Sequence, residues 1–416
     1  MKSALNTKEI LDARNQEFGP IVLTRFPPEP NGYLHIGHCK AMRFNFMQAK
    51  MSSGKCYLRF DDTNPLKENI EYIENIKENI SFMGYEPWRI THASDNFDKL
   101  YQFAVQLIKQ GDAFVCGENT ELMRKNRNEG IPSAFRDRPV EENLKLFEEM
   151  RLGLHAEGTL SLRAKIDYKH PNTTLRDPVI YRIRFTSHPH VGDKWCIYPL
   201  YDYTHPLCDS LEGISHSLCS LEFEIRRELY YWVLDRLKLY KPNVWEYSRL
   251  NITNNVLSKR KLHELIFTNR VKNWDDPRVL TINGMRRRGY PAEAINSFCD
   301  VIGVTRRGNE NYINFNVLEN EVRKYLDVHA ARTMAVLEPV EMIIEGIEEG
   351  EITVPLFPKD ETRGNRKIKL SKRIYVERSD IKLQDEKGFY GIAPNKIIGL
   401  KYASTFFIKE VVVENG

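Results

Sequence analysis

Hydrophobic and polar positions near the N-terminus alternate between short apolar runs and longer helical periods. Residues 21–26 (IVLTRF) form an apolar run that stops at the breaker-rich PPEPNG, which predicts a buried strand. From His35 to about Lys50 there is no proline and, after Gly37, no glycine, which favours a helix. CYLRF predicts a second strand, and isoleucines from Ile70 to Ile80 recur at helical spacing. This order predicts the start of a parallel α/β sheet.

The pattern changes between about residues 90 and 190. RDRPVEENLKLFEEMRLG favours a helix, whereas RAKIDY and VIYRIRF favour strands. In VIYRIRF we expect one face to pack and the other to carry Arg182 and Arg184. This stretch predicts a module inserted between two halves of the sheet. WCIYPLYDYTHPL then returns to residue types of a sheet core, and YYWVLDRL favours a helix.

The remainder of the chain predicts a helical part followed by a β part. Residues 256 to about 330 are mostly helical in pattern and contain an arginine cluster between Gly284 and Gly289. Beyond Ala331, the segments MAVLEPVEMII, ITVPLF, KIKLSKRIYVE and FFIKEVVVE predict strands. No internal repeat or low-complexity tract interrupts either part.

Length and composition narrow the class of protein. A chain of 416 residues is too long for one core and should form several domains. With 41% hydrophobic and 28% charged residues, it has the composition of a globular protein. It contains neither a long apolar span nor the apolar run of a signal peptide, so we expect a cytoplasmic protein without a membrane partner.

The seven cysteines form no C-x-x-C pair, which argues against a disulfide framework and a structural zinc site; we expect no bound metal ligated by the chain. Charge is uneven although the formal net charge is only +4. Residues 278–307 hold six arginines against two acids, and residues 359–378 hold eight Lys/Arg against three acids. Such local excess suits phosphate contact. A solvated charged face remains an equal alternative on charge alone.

The first chemistry-bearing segment is RFPPEPNGYLHIGHCK, from Arg25 to Lys40. A strand leads into a proline-rich turn, and His35 and His38 then fall at i, i+3 on one side of a helix start. Gly37 lets a ligand approach the backbone. Free N–H groups and a partial positive charge at a helix start suit phosphate. If only the short motif H-x-G-H were present, two surface histidines on an ordinary turn would be the alternative to a phosphate site.

Three further segments carry candidate chemistry. VLSKRK (256–261) is a basic run that alone would usually be a solvated face. Asp61 and Asp62 follow a strand, where open α/β sheets bind ligands, although an Asp/Asn turn capping the next helix is the alternative. The aromatic segment 195–205 and the segment 216–223 would, taken alone, belong to a core.

Together these segments resemble the class I aminoacyl-tRNA synthetases. RFPPEPNGYLHIGH closely resembles their HIGH region in its glutaminyl form. LSKRK resembles the KMSKS loop, in which a flexible basic segment grips the triphosphate. Lys259 matches the family's lysine, while Leu257 and Arg260 stand where the loop has methionine and its final serine. The resemblance covers about residues 20 to 416.

The resemblance implies an α/β fold: a Rossmann-like parallel-sheet catalytic domain with an inserted α+β module, a helical subdomain and a partial β-barrel. Residues 1–90 and 191–262 would form the two catalytic halves, and 91–190 the inserted module that binds the acceptor end of tRNA. Residues 263–330 would form the helical subdomain. Residues 331–416 would form an anticodon-binding β-barrel region, apparently incomplete.

The implied activity is that of a glutamine–tRNA ligase, which activates L-glutamine with ATP and Mg²⁺ and transfers it to tRNA(Gln). His35, His38 and Lys259 would be catalytic. The residues implied to bind ATP are Glu29, Pro30, Asn31, His35, Gly37, His38, Lys40, Ala41, Ser220, Arg249, Leu250, Leu257, Ser258 and Lys259. The family also implies that tRNA binds before activation, and we expect a monomer.

The residues implied to bind glutamine are Arg25, Asp61, Tyr201, His205 and Cys219. Glutamyl relatives tend to carry arginine where Cys219 stands, and a neutral thiol favours a neutral amide over a carboxylate. A hydroxyl and a neutral histidine can satisfy an amide. Val244 departs from the glutamine that many glutaminyl enzymes carry there. The residues implied to contact tRNA are Arg306, Arg307, Gly308, Asn309, Glu310 and Asn311.

Three alternatives stay open. Within the enzyme class, the substrate could be glutamate. A small nucleotidyltransferase would also use an H-x-G-H motif. It would need neither the LSKRK run, which here follows a long insertion, nor the β-rich C-terminal part. A non-catalytic, synthetase-derived RNA-binding protein would be expected to have lost a histidine of the HIGH string or Lys259, and the chain retains all of them.

Overall fold

The computed structural model describes residues 6–308 and 312–414. The chain divides into two compact units, Met1–Glu321 and Val322–Gly416, which are described separately. Within the described residues, every helix is too short or too polar to cross a bilayer.

The helices, in chain order, are α1 (Lys8–Phe18), α2 (Ile36–Met51), α3 (Ile70–Phe82), α4 (Phe97–Lys109), α5 (Thr120–Glu129), α6 (Val140–Arg151), α7 (Tyr201–Leu211), α8 (Arg227–Arg236), α9 (Lys259–Phe267), α10 (Ile282–Arg287), α11 (Ala292–Ile302) and α12 (Phe315–His329).

The strands are β1 (Leu23–Phe26), β2 (Lys55–Phe60), β3 (Ile90–His92), β4 (Ala113–Cys116), β5 (Ser161–Ala164), β6 (Val179–Ile183), β7 (Ile197–Pro199), β8 (His216–Ser220), β9 (Asn243–Tyr247), β10 (Asn251–Ile252), β11 (Tyr312–Ile313), β12 (Pro339–Ile343), β13 (Gly350–Pro355), β14 (Asn365–Leu370), β15 (Arg373–Glu377), β16 (Ile397–Gly399) and β17 (Thr405–Phe407).

A parallel sheet organises the first unit, as the alternating pattern predicts. Strands β1, β2 and β3 pair in parallel in that order. Strands β8 and β9 form a second parallel pair. The Ser215 N–H, just before β8, donates to the Leu23 carbonyl of β1 at 2.9 Å. This bond joins the amino ends of β1 and β8, so the two strands are neighbours although the whole inserted segment lies between them in sequence.

Burial explains why these apolar runs become strands. Every residue of β1 is buried, as expected for a parallel strand covered on both faces. In α3, Ile73, Ile76 and Ile80 are buried, which confirms the periodicity; Ile70, at the first position, is 60% exposed. The local hydrophobic pattern was therefore sufficient to predict the order of strands and helices in this part of the chain.

Between the two parallel parts, β4, β5, β6 and β7 form a four-stranded antiparallel sheet. Residues of this sheet share one hydrophobic core with α4, α6, α7 and α8. The two-faced prediction for VIYRIRF is partly wrong. β6 ends at Ile183 and Phe185 is 52% exposed, whereas Ile180, on the supposed polar face, is 2% exposed. Helix packing covers both faces near the strand's start, which the alternation of residue types did not reveal.

A second correction concerns the aromatic segment read as sheet core. Only Ile197–Pro199 is a strand, and Tyr201–Leu211 is helix α7 despite Pro206. Tyr203 and Leu207, four residues apart, are fully buried, and the Tyr203 hydroxyl donates to the Leu100 carbonyl at 2.8 Å. Tertiary packing of one helical face overrides the strand-like composition.

The second unit is rich in strands, as predicted beyond Ala331. Three antiparallel pairs form: β12 with β15, β13 with β14, and β16 with β17. The expected partial β-barrel is not confirmed, because these pairs close into no barrel within the described residues. The strand predicted for FFIKEVVVE ends at Phe407.

Candidate active site

A cavity of about 840 Å³ opens where the carboxyl ends of β1 and β8 meet the start of α2. It gathers side chains from segments far apart in sequence. The sequence-predicted residues that line it are Arg25, Glu29, His35, Gly37, His38, Lys40, Ala41, Tyr201, Cys219, Ser220, Arg249, Leu250, Leu257, Ser258 and Lys259. The paired histidines and the lysine of the LSKRK run thus face one cleft.

The start of α2 is held by the two histidines themselves. His35 is the N-cap residue, and its Nδ1 accepts from the Gly37 N–H at 3.1 Å. His38 Nδ1 accepts in return from the His35 N–H at 3.0 Å. Since both Nδ1 atoms are acceptors, the ring proton of each neutral imidazole is on Nε2. Each ring therefore has one remaining N–H to offer a ligand.

Both rings are neutral. Burial, followed by the positive charges of Lys259 and Arg249, lowers the pKa of His35 to about 3. Burial, followed by His35, holds the pKa of His38 well below its usual value. The sequence prediction that these histidines contribute hydrogen-bond donors is consistent with this arrangement. The two histidines can donate hydrogen bonds through neutral N–H groups, so the positive charge of the site comes from other residues.

Lys259 is the first residue of α9 and points toward the proline-rich turn. Its Nζ donates to Asn31 Oδ1, and its aliphatic chain passes close to Gly32. Burial lowers the pKa of Lys259, and Glu29 opposes this effect. The Asn31 side chain in turn donates to Glu29 at 2.5 Å. The Lys259 ammonium keeps further N–H donors that a bound anion could accept from while the Asn31 contact stays in place.

Two other cations of the site already have partners. Lys40 Nζ donates to the Ser248 carbonyl at 2.9 Å, which ties α2 to the segment after β9. Arg249 Nη1 lies 2.8 Å from Glu222 Oε2, whose other oxygen accepts from the Ser220 hydroxyl at 3.0 Å. These contacts position the cations along one wall of the cavity.

Four predicted ligand residues do not line this cavity: Pro30, Asn31, Asp61 and His205. Asp61 lies just behind it at the end of β2. Its Oδ1 accepts from Arg59 Nε at 2.9 Å, whereas its buried Oδ2 has no hydrogen-bond partner. Such an unsatisfied carboxylate oxygen is costly and indicates a missing donor. An ammonium group would supply it.

Arg25 is fully buried and organises the amino-acid side of the cavity. Its Nε donates to Asp209 Oδ1 at 2.9 Å and its Nη1 to the Leu218 carbonyl at 2.9 Å. Asp209 also accepts from Arg59 Nη1 at 2.8 Å and from the Ser217 hydroxyl at 2.6 Å. Burial would raise the pKa of Asp209, but the two arginines hold it well below its usual value. The charge of Arg25 is therefore already compensated.

His205 lies against the same guanidinium. Burial lowers its pKa, whereas Asp209 and Cys219 raise it, to about 9. However, His205 Nε2 is 2.6 Å from Arg25 Nη2, which can only donate. A proton on Nε2 would set two donors against each other at that distance. In this arrangement Nε2 accepts, and the ring is neutral with its proton on Nδ1.

Cys219 and Val244 share a smaller space beside the main cavity, together with His205, Phe223 and Tyr230. The Cys219 sulfur is 3.5 Å from Arg25 Nη2. Val244, the residue that departs from the family pattern, therefore lies beside the candidate amino-acid pocket.

Sequence reasoning missed the charged residues behind the cavity. Asp209 and Arg59 are fully buried and hold Arg25 and Asp61, yet neither was a candidate. The H-x-x-x-D spacing of His205 and Asp209 on one helix face was the available signal, provided that α7 had been recognised as a helix. Glu222 was also missed, although it lies in a segment already singled out.

The predicted tRNA contacts lie only partly within the described residues. Arg306 Nη2 is 2.5 Å from Glu224 Oε1, and its guanidinium is 5.9 Å from the Trp245 ring centroid. Arg307 and Gly308 follow it, whereas Asn309, Glu310 and Asn311 lie outside the described residues.

Comparison with known proteins decides the family. The profile described as "tRNA synthetases class I (E and Q), catalytic domain" matches residues 21–328. Its companion, "tRNA synthetases class I (E and Q), anti-codon binding domain", matches residues 330–416. The chain belongs to the class I tRNA synthetases of the E and Q type.

Several curated proteins are similar to this class I synthetase chain. A "Probable glutamine--tRNA ligase" from Dictyostelium discoideum is 52% identical over 98% of this chain and 52% of its own length. The "Glutamine--tRNA ligase" of Lupinus luteus is 48% identical, with the same two coverages. That of Cupriavidus taiwanensis is 47% identical over 92% of this chain and 69% of its own. The chain thus spans about half the length of the first two relatives.

Solved structures agree with the class I synthetase fold. A glutamate-tRNA synthetase from Elizabethkingia anophelis superposes with a TM-score of 0.55 over 74% of this chain and 71% of its own. The sequence identity is 19%, so this likeness concerns the fold alone.

One group of ligand-type side chains lies away from the cavity of this synthetase. The ligand atoms of His92, Asp95 and His190 are within 4.8 Å of one another. The two imidazoles stack at 3.8 Å with an interplanar angle of 10°. A metal ion binds in the plane of an imidazole, and one ion cannot lie in two parallel, stacked planes. We assign no metal to this cluster.

Proposed function

We propose that the protein is a glutamine–tRNA ligase, with ATP, L-glutamine and tRNA(Gln) as substrates. The family assignment and the glutamine–tRNA ligase names of its relatives support this proposal. The single observation that carries the choice of amino acid is the charge state of the pocket around Arg25 and Cys219.

A buried glutamate carboxylate needs a free cation, since an unpaired buried charge is costly. Arg25 is the cation in contact with the Cys219 sulfur, and Asp209 already compensates its charge. Cys219 itself contributes a thiol rather than a guanidinium. A neutral carboxamide fits these surroundings, because neutral His205 and the Tyr201 hydroxyl can donate and accept without a net charge. Leaving such groups unpaired with a wrong substrate gives discrimination of roughly 10⁴ to 10⁵.

The proposed reaction has two steps. The glutamine carboxylate attacks the α-phosphate of magnesium-bound ATP, forming glutaminyl-adenylate and releasing pyrophosphate. The 2′-hydroxyl of the terminal adenosine of tRNA then attacks the adenylate carbonyl, and AMP leaves. The Nε2–H groups of His35 and His38 and the Lys259 ammonium would stabilise phosphate charge, while Asp61 Oδ2 would hold the substrate ammonium.

The remaining ATP contacts would come from the turn and the opposite wall of the cavity: Glu29, Pro30, Asn31, Gly37, Lys40, Ala41, Ser220, Arg249, Leu250, Leu257 and Ser258.

The division of labour along the chain is part of the proposal. Residues 1–90 and 191–262 would form the catalytic halves, with 91–190 receiving the acceptor end of tRNA. Residues 263–330 would form a helical subdomain and 306–311 would contact the tRNA body. Residues 331–416 would take part in anticodon binding. We further propose a cytoplasmic, monomeric protein; the Arabidopsis thaliana relative is named cytoplasmic.

The decisive experiment is aminoacylation of total tRNA with labelled glutamine and, in parallel, labelled glutamate. We expect charging with glutamine, and at least a thousandfold lower kcat/KM for glutamate, in line with the roughly 10⁴ to 10⁵ available to such a pocket. Charging with glutamate alone would replace the glutamine assignment but keep the class of enzyme. If the protein bound tRNA and formed neither adenylate, the non-catalytic alternative would hold.

A further inference from the structure

The segments that follow β8 and β9 meet at one wall of the cavity. The two strands are parallel, and the last pair in their register is Ser220 with Tyr247. Glu222 and Arg249 each lie two residues beyond that pair, so the register itself brings them opposite one another. Both side chains line the cavity. A carboxylate in this position needs an explanation, because it repels a phosphate unless a cation compensates it.

The Glu222 carboxylate uses both of its oxygens on residues of that wall. Its Oε2 accepts from Arg249 Nη1 at 2.8 Å, and its Oε1 accepts from the Ser220 hydroxyl at 3.0 Å. Arg249 and Ser220 are both among the residues that the family resemblance implies to bind ATP. One side chain that carries no such implied role therefore joins two that do.

Glu222 is well placed to act as an anchor, because the chain around it is held on both sides. Ser220 is the last residue of β8, a strand whose three central residues are buried. The Phe223 ring lies 5.5 Å from the Tyr201 ring, between ring centroids. Arg249, in contrast, is a long side chain that is 56% exposed and has many rotamers available. A contact from a fixed carboxylate selects among those rotamers.

We propose that Glu222 is a positioning residue, which holds the Arg249 guanidinium in the orientation that meets the phosphates of ATP. Arginine carries its N–H donors in a rigid planar fork, so a carboxylate at one edge fixes the direction of the whole group. The contribution of this contact to activation rests on the proposed function, whereas the contact itself is a feature of the geometry.

The Arg249 charge acts on the same space as the paired histidines at the start of α2. Burial, and then the positive charges of Lys259 and Arg249, lower the pKa of His35. Burial and His35, followed by the same two positive charges, lower the pKa of His38. A guanidinium held at this wall would therefore add a charge-assisted donor to the two neutral imidazoles and the lysine.

Removing Glu222 has two effects on ATP, and they have opposite signs. Without the carboxylate, Arg249 loses its fixed orientation, which weakens ATP binding. The same change removes a negative charge from the cavity wall, which by itself would strengthen ATP binding. The direction of the measured change therefore tells a positioning residue from a carboxylate that only repels phosphate.

The first test measures the Kd for magnesium-bound ATP by titration calorimetry on the full chain, without any amino acid. We expect Glu222→Ala to weaken ATP binding by about three- to fivefold, the upper range for a half-exposed ion pair. Glu222→Gln keeps an acceptor oxygen for Arg249 and should weaken it less. Glu228→Ala, an exposed carboxylate on α8, is the matched control and should leave the Kd unchanged. Unchanged or tighter binding by Glu222→Ala, or an equal loss in Glu222→Gln, would overturn the proposal.

A double variant shows whether Glu222 acts through Arg249. Arg249→Ala should weaken ATP binding by at least about tenfold, since a charge-assisted contact to phosphate is lost. Adding Glu222→Ala to that variant should weaken binding no further, because the group that Glu222 positions is gone. Multiplied losses in the double variant would mean that Glu222 affects ATP independently, which contradicts a positioning role.

Kinetics separate positioning from general damage. In pyrophosphate exchange with glutamine and tRNA, Glu222→Ala should raise the KM for ATP by the same factor as the Kd. The KM for glutamine and the thermal unfolding transition should stay unchanged, and an equal rise in both KM values would refute the assigned role. If the unmodified protein bound ATP but supported no glutamine-dependent exchange, the proposed function would fail while the ATP result stood. Absence of ATP binding by the unmodified protein would overturn both.

Discussion

At the scale of residues, the site relies on a few side chains that already hold one another. Lys259 is bonded to Asn31, and His35 and His38 cap the start of α2 with their Nδ1 atoms. Under the proposed function, each group would meet ATP pre-oriented, with its remaining N–H donors available for phosphate. Such preorganised donors act most strongly on charge that develops during the reaction.

Replacing these donors should affect chemistry more than binding. We expect Lys259→Ala and His38→Ala each to slow glutaminyl-adenylate formation by about 10²- to 10³-fold, the usual cost of one lost preorganised donor. Pyrophosphate exchange measures this step, and filter binding measures tRNA affinity, which should change less than threefold. Lys261→Ala, in the same basic run but exposed, is the control and should behave like the unmodified protein. A collapse of tRNA affinity with intact exchange would contradict the assigned roles.

Asp209 should control which amino acid is accepted. In Asp209→Asn the shape is kept, but Arg25 loses its compensating charge, so a substrate carboxylate becomes less costly to bury. We expect the ratio of kcat/KM for glutamine over glutamate to fall by about 10- to 100-fold, because a change of about 1.4 to 2.7 kcal/mol in charge compensation is ordinary for a buried pair.

Glu212→Gln is the matched control for this prediction, since Glu212 also contacts Arg59, at 2.9 Å, within the same buried network. Its glutamine-to-glutamate ratio should stay within threefold of the unmodified protein. A ratio that fell equally in both variants would mean that general disruption of the network, rather than the charge on Arg25, sets specificity.

At the scale of elements, the chain turn between α2 and β2 allows no side chain at Gly54. A Cβ there would lie 2.1 Å from the Val22 carbonyl, the oxygen that accepts from the Lys55 N–H at the start of β2. Gly54→Ala should therefore push apart the beginning of the β1–β2 pairing and destabilise the first unit by about 1–3 kcal/mol. Thermal unfolding followed by circular dichroism measures the effect. Gly350→Ala, with open space around its Cβ, should leave the transition unchanged.

A second element-level prediction concerns Glu68, between β2 and α3. Burial raises the pKa of Glu68 from 4.5 to about 7. Its Oε2 is 3.4 Å from Nε2 of His188, a residue in the segment that precedes β7. Above pH 4.5 the unfolded chain loses a proton that the folded protein retains, so stability falls as pH rises toward 7.

Glu68→Gln removes this titration. Urea unfolding at pH 5 and pH 8 should therefore show the unmodified protein losing stability relative to Glu68→Gln on going to the higher pH. Glu74→Gln, an exposed carboxylate on α3, should run parallel to the unmodified protein. A pH-independent difference between the unmodified protein and Glu68→Gln would show that Glu68 does not titrate in this range.

At the scale of the whole molecule, three cations that line the cavity already contact groups of the chain itself. Lys259 contacts Asn31, Lys40 contacts the Ser248 carbonyl, and Arg249 contacts Glu222. Under the proposed function, ATP binding would rearrange some of these contacts, and the binding energy of a large partner can drive such a rearrangement.

We therefore expect glutamine-dependent pyrophosphate exchange to require tRNA, with at least a hundredfold loss in its absence. Ribonuclease treatment of the preparation removes carried-over tRNA, and intact tRNA added back should restore exchange. Full exchange after ribonuclease treatment would mean that the free protein is already assembled for activation.

The sequence by itself determined the local order of elements and the identity of most cavity residues. The apolar run of β1, the isoleucine period of α3 and the joint presence of the HIGH string and LSKRK sufficed, because propensity, periodicity and motif spacing are local properties. It could not reveal that Tyr201–Leu211 is a helix or that Asp209 compensates Arg25. Those features depend on which distant groups pack together and on how burial settles their charges, and only the tertiary structure decides that.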